Sequence, residues 1–342
     1  MRAQRLGSSM AALGGFFIFI VSLFGAAMAH AADTASSTGG LTATSSPTMA
    51  KHAPANVPFG YVVTPFGYFH ASCVRTIGER SVLQADGSVK EADGSVTRAS
   101  ACRYPHYTKD GVRLEGNALP SHPMMQSRSA KAPDVNGWLE ASWYTNSAPY
   151  GGISAKWLVP SGPATNVGQV LYFFPGLEDA ENVQTILQPV LGWNGFNDSA
   201  WTIASWNCCM GGNADHSNPV SVSTGDQIVG AIRGDCAAGS VCSTWDIVTT
   251  DNNNTQRTLL KQSSSYGQTF DWVMAGVVEV YGVSSCDHYP SNGFVDFTDV
   301  LVQDVNKQNT QVPWQSSGLM PSDAPACNYG VNVAPTSASL TF

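Results

Sequence analysis

From Gly137 onward the chain is written in strand-sized runs, and no stretch holds a helical period over three turns. "WLEASWYT", "ISAKWLV", "QVLYFF", "VQTILQPVLGW", "WTIASWN", "DQIVGAI", "TWDIVTT", "QRTLLKQ", "DWVMAGVVEVYGV" and "FTDVLVQ" follow one another, parted by clusters of Gly, Asn, Asp, Ser and Pro. This grammar predicts an all-β fold over residues 137–342: an antiparallel double-sheet sandwich or jelly roll with one core between the sheets.

The front of the chain reads differently. Arg2 and Arg5 precede an apolar run from Met10 to Met28, and Ala29-His30-Ala31 has the small-x-small form of a cleavage site. Residues 1–31 are therefore expected to be a secretory signal peptide, too short in its apolar part for a retained anchor, with no stable membrane association after cleavage. Residues 32–57, rich in Ala, Ser, Thr and Pro, read as a disordered leader. Residues 58–107 read as a small β-rich module or propeptide, in which Ala85-Asp86-Gly87-Ser88-Val89 recurs as Ala92-Asp93-Gly94-Ser95-Val96, a duplicated tight turn. Residues 108–136, polar and broken by Pro120, Pro123 and Pro133, read as a linker or processing region.

Loss of the signal removes two of 17 basic residues, so 15 Lys and Arg face 25 Asp and Glu and the formal charge moves from -8 to -10. An acidic chain lacks the basic face that nucleic acid demands. Only 12% of residues are charged, so the surface has few native ion pairs to lose on acidification, which suits an acidic habitat. Eight cysteines in an exported chain point to disulfides and to a secreted or periplasmic location. Proximity pairs Cys73 with Cys102, Cys236 with Cys242 and Cys286 with Cys327; Cys208 and Cys209 are left as a vicinal pair or crossed with the others. Without Cys-x-x-Cys or spaced histidines, the sequence predicts no metal site, and nothing in it calls for a cofactor.

Two residues do not fit their strands. Period two puts Leu187, Pro189 and Leu191 on one face and Ile186, Gln188 and Val190 on the other. Likewise Val278 and Val280 oppose Val277, Glu279 and Tyr281. Each strand thus carries one strong polar group among apolar neighbours, where a bare carboxylate is penalised by desolvation. Either both sit on a solvated outer face, or both line a concave face as a general base and an amide donor.

Trp143 to Val302 resembles the glutamic peptidases of the eqolisin type, secreted fungal acid proteases. "GLED" before "TILQPVLGW", "VSTGDQI" at 222–228, "GGISAKWLVPSGP", and "VVEVYGV" before "FVDFTDV" follow that family's motifs in order. The resemblance implies a concanavalin-like sandwich and an endopeptidase acting on a protein or peptide as a monomer, best at acidic pH. The family's catalytic Gln falls on Gln188 and its catalytic Glu on Glu279. Its active-site Trp falls on Phe174 and its Asp on Glu178; Trp206 and Tyr281 are the further candidates for the peptide groove. Residues 58–107 have no counterpart in that family.

Three other readings were open. Trp138, Trp143, Trp157 and Trp193 could form a sugar platform, making the chain a non-catalytic glycan- or peptide-binding sandwich. Glycoside hydrolysis needs paired carboxylates, and Glu140, Glu178 and Glu181 are expected near turns or edges. No Gly-x-Ser-x-Gly elbow supports a serine hydrolase. Asn197-Asp198-Ser199 and Asn253-Asn254-Thr255 match a glycosylation sequon.

Overall fold

A computed structural model describes residues 46–98, 100–116, 135–318 and 325–342. The expected signal peptide and most of the expected leader and linker lie outside them. Among the described residues there is no α-helix, only strands and three short 3-10 turns, and no helix long and apolar enough to cross a membrane.

The first strands are β1 (Tyr61–Thr64), β2 (Gly67–His70), β3 (Val74–Ile77), β4 (Val82–Leu83), β5 (Val89–Lys90), β6 (Val96–Thr97), β7 (His106–Tyr107) and β8 (Arg113–Leu114). The sandwich follows with β9 (Val135–Thr145), β10 (Tyr150–Leu158), β11 (Val170–Glu178), β12 (Ile186–Trp193), β13 (Trp201–Cys208), β14 (Ala214–Ser217), β15 (Val220–Val222) and β16 (Gln227–Gly234). It ends with β17 (Thr244–Asp251), β18 (Gln256–Ser264), β19 (Trp272–Val283), β20 (Phe294–Asp304), β21 (Asn309–Thr310), β22 (Gln315–Gly318), β23 (Gly330–Ala334) and β24 (Ser337–Thr341).

Two large sheets face each other. One runs β23-β24-β20-β10-β16-β17-β18-β4-β5-β6, the other β22-β9-β19-β11-β12-β13-β14-β3. Between them lies the main core, with Leu187, Leu191, Val278 and Val280 from one sheet meeting Ile153, Trp157, Ile232 and Phe297 from the other. Glycine permits close approach at one point: a Cβ on Gly276 would run into the ring of Phe297. The all-β double-sheet expectation agrees with this architecture.

Within the segment 58–107, β3 extends one large sheet by parallel pairing with β14, and β4 extends the other beside β18. The ordered chain also reaches beyond both expected limits, through a bridge of Met49 to Val62 and through β8. The described residues all fall within one compact unit. The duplicated Asp-Gly turns become the hairpins β4-β5 and β5-β6, each Asp carboxylate accepting from the Ser backbone N–H two residues on.

A third sheet, β1-β2-β7-β8, covers the outer face of the β9–β19–β11–β12–β13 layer. Tyr61, Val63, Tyr68, Phe69 and Tyr107 from it form a second core with Tyr172, Phe174, Val190, Trp206, Val277 and Tyr281. A strand face that alternation alone would assign to solvent is thereby buried.

All eight cysteines are bonded: Cys73–Cys102, Cys208–Cys209, Cys236–Cys242 and Cys286–Cys327. Of the two arrangements left open for Cys208 and Cys209, the vicinal one is present.

Candidate functional site

The face beneath the third sheet holds Gln188 from β12 and Glu279 from β19, with β11 between them. Gln188, Phe174, Glu178, Trp206, Glu279 and Tyr281 are all buried. Trp206 pairs directly with Gln188 across β12 and β13.

The local backbone beside Gln188 is set by two prolines. The β11–β12 ladder is intact at Phe173↔Leu191 and again at Leu177↔Leu187, and that register brings Pro175 opposite Pro189 in the gap. Neither supplies an N–H, so the ladder is interrupted beside Gln188. On the other side of β11 the pairing shifts between Phe174 and Gly176, at Pro175.

Register then decides which polar groups can meet. Continuation of the β11–β12 pairing puts Gln188 level with Gly176, whose partner on β19 is Met274, whereas Glu279 pairs with Tyr172. Four residues of rise (~13 Å) and two strand spacings (~9.5 Å) place the Gln188 and Glu279 Cα atoms roughly 16 Å apart. Glu279 Oε1 accepts from the Tyr281 hydroxyl at 2.5 Å, while its Oε2 is buried without a hydrogen-bond partner among the described residues. Gln188 and Glu279 therefore share a face but stand at different levels along it.

The carboxylate that register does bring to Gln188 is Glu178. It pairs with Ile186, so Gln188, two residues on, is its diagonal neighbour on the same face. Diagonal Cβ atoms lie ~7–8 Å apart or less, within reach of long side chains. Both Glu178 oxygens and Gln188 Oε1 are buried without a hydrogen-bond partner among the described residues. Sequence reasoning had Glu178 only as a groove residue, near a turn. It closes β11, buried, and Glu140 is likewise buried within β9.

Burial controls the charge state. Desolvation, with nearby Asp179 adding to it, holds the Glu178 carboxyl well above the usual range. Desolvation pushes Glu279 up to about 8 against the opposing hydrogen bonds of Tyr281 and Trp138. Under the third sheet both carboxyls are neutral at acidic pH, and a neutral carboxyl takes no proton.

The cover touches the site directly. Gln188 Nε2 donates to the Pro65 carbonyl at 3.5 Å, the long end of a hydrogen bond, and the Tyr172 hydroxyl donates to the Val63 carbonyl at 3.1 Å. Tyr68 packs edge-on against Tyr281 with ring centroids 5.4 Å apart. Among the described residues no cluster of His, Cys, Asp and Glu is arranged to hold a metal ion.

No protein-family model and no curated protein matches the sequence. Among solved structures the fold is similar to Scytalido-glutamic peptidase with a peptide-based transition-state analogue, at 17% identity and a TM-score of 0.46 over 60% of this chain and 98% of that one. It is also similar to SCP-B, a member of the eqolisin family of peptidases in complex with the tripeptide Ala-Ile-His, at 17% identity and a TM-score of 0.44 over the same shares.

Proposed function

We propose that the protein is a secreted or periplasmic glutamic-type endopeptidase held in a covered state, with Gln188 as amide donor and Glu178 as the carboxylate beside it. The observation that carries this reading is the diagonal placement of Gln188 and Glu178 on one buried face, their polar atoms Gln188 Oε1 and both Glu178 oxygens unpartnered. The motif order of the sequence supports the same class, and four disulfides suit an oxidising compartment. Once the face is wetted, desolvation of Glu178 is relieved and its carboxyl ionises at lower pH. The carboxylate takes a proton from water as that water attacks a peptide carbonyl, the Gln188 amide stabilises the oxyanion, and the proton passes to the leaving amine. This chemistry uses neither metal nor organic cofactor, and the acidic surface suits a protein substrate rather than nucleic acid.

A non-catalytic peptide-binding sandwich is the second reading. It is favoured by Met274, an apolar side chain at the position on β19 level with Gln188.

Proteolysis of an unstructured protein between about pH 2 and 6, with pepstatin present, separates the two. The full chain is assayed before and after acid incubation, beside Gln188→Ala, Glu178→Gln and Glu279→Gln, each checked for fold. Cleavage is expected to fall about 10²–10³-fold in Gln188→Ala, as for loss of an oxyanion donor, to be lost in Glu178→Gln, and to persist in Glu279→Gln. Cleavage abolished by Glu279→Gln but kept in Glu178→Gln would return the base role to Glu279. No cleavage by the folded, incubated chain leaves the binding reading.

A further inference from the structure

We propose that Tyr172 is a second docking donor of the peptide groove, and that the Tyr172 hydroxyl and the Gln188 amide together hold the backbone carbonyls of residues n and n+2 of a bound polypeptide. The inference rests on reading this face as a peptide site. Its basis is the segment that lies there now: Val63 and Pro65 are two residues apart, and their carbonyls accept from Tyr172 and Gln188 respectively. Val63 lies in β1 and Pro65 in the turn that follows it, so the two donors grip a strand end and the first residue of its turn through backbone carbonyls, whatever the side chains.

The backbone of β1 supports this use. Its outer edge at Val63 is turned away from β2, since Val63 N donates to the Thr48 carbonyl. That leaves the Val63 carbonyl to Tyr172. Tyr281, the other tyrosine on this face beside Glu279, is committed to that carboxyl. Tyr172 instead spends its hydroxyl only on the covering segment. After Pro65 the chain reverses through Phe66 into β2, with Thr64 paired to Gly67. A proline at n+2 has no N–H to satisfy, so the occupant Val63-Thr64-Pro65 asks nothing of the groove at that position.

The test opens the groove in the full chain with Tyr68→Ala, which removes the ring that seats the hairpin on Tyr281, or with Phe66→Ser at the half-buried turn should Tyr68→Ala fail to fold. The probe is a labelled, blocked hexapeptide of the sequence Tyr61 to Phe66, read by fluorescence anisotropy. The opened chain is expected to bind it and the wild type to bind it at least tenfold more weakly. Adding Tyr172→Phe to the opened chain should weaken binding about 3- to 10-fold, the scale of one net hydrogen bond, and raise KM for protein cleavage with kcat unchanged. Gln188→Ala should instead lower kcat. Peptide binding that depends on Tyr172 in a chain that cleaves nothing would uphold the docking donor and end the peptidase reading. An opened chain that binds no peptide, or binding indifferent to Tyr172→Phe, would overturn the inference even if cleavage is observed.

Discussion

Arg75 holds Asp215 with two parallel bonds, Nε to Oδ1 at 2.6 Å and the second guanidinium nitrogen to Oδ2 at 2.8 Å. The pair locks β3 to β14, so the covering segment is fastened to the sheet it covers. Asp215 is fully buried while Arg75 keeps 19% of its side chain exposed. Desolvation raises the Asp215 pKa despite the arginine, so the pair is a weak source of net stability. Removing one partner is different, because it strands the other. Arg75→Ala is expected to destabilise the protein by about 3–5 kcal/mol in urea unfolding, and the doubly apolar Arg75→Met, Asp215→Leu variant by much less. Equal loss in both would show that the pair itself, not the stranded carboxylate, sets the effect.

Glu140, Glu178 and Glu279 all have folded pKa values raised by desolvation, Glu140 and Glu279 to about 8. Each is neutral in both states below pH 4.5; above it the unfolded chain ionises first. Stability contributed by these groups is therefore full below about pH 4.5 and is lost as pH rises above it, through about 8 for Glu140 and Glu279. Buried His216, lowered to about 4, works the other way, losing stability as pH falls from 6.5. Three carboxyls outweigh one imidazole, so denaturant midpoints should fall between pH 5 and pH 8, and Glu140→Gln should flatten that slope. A midpoint rising across this range would contradict the buried-carboxyl account.

The Cys286–Cys327 disulfide spans 41 residues and ties the turn after β19 to the segment before β23. On the chain-entropy model a loop of this length is worth about 4 kcal/mol. Cys286→Ser with Cys327→Ser should lower Tm well beyond the six-residue-spaced Cys236–Cys242 pair, as thermal unfolding by circular dichroism would record.

Gly276 on β19 lies under Phe297 of β20, where the two sheets approach closely. The Phe297 ring is fully buried and cannot retreat without disturbing the core. Gly276→Ala is expected to cost about 1–3 kcal/mol by overpacking, and Phe297→Ala about 3–5 kcal/mol by cavity formation. If Phe297→Ala made Gly276→Ala nearly neutral, the coupling of the two positions would be established.

Much of the fold was legible because a strand's period of two assigns faces without knowledge of neighbours. Leu187 and Leu191 do enter the main core, while Ile186 and Val190 take the opposite face with Gln188. Near-sequence cysteines paired as proximity suggested. The site was less legible. Face assignment says that Gln188 and Glu279 look the same way, but not how far apart they stand along their strands. That offset depends on β11 lying between β12 and β19, and on the pairing shift at Pro175. Glu178 was expected near a turn and does end β11, but nothing local showed that a third sheet would cap it.

By itself, then, the sequence determined the strand content, the two faces of each strand and three of the four cysteine pairs, since all three follow from composition, a two-residue period and short chain separations. Only the tertiary structure decided which carboxylate stands beside Gln188 and that β1 and β2 close over both. The cover joins residues more than a hundred positions apart, and the placing of Glu178 beside Gln188 rests on the hydrogen-bonded register of β11 on β12, which no local pattern encodes.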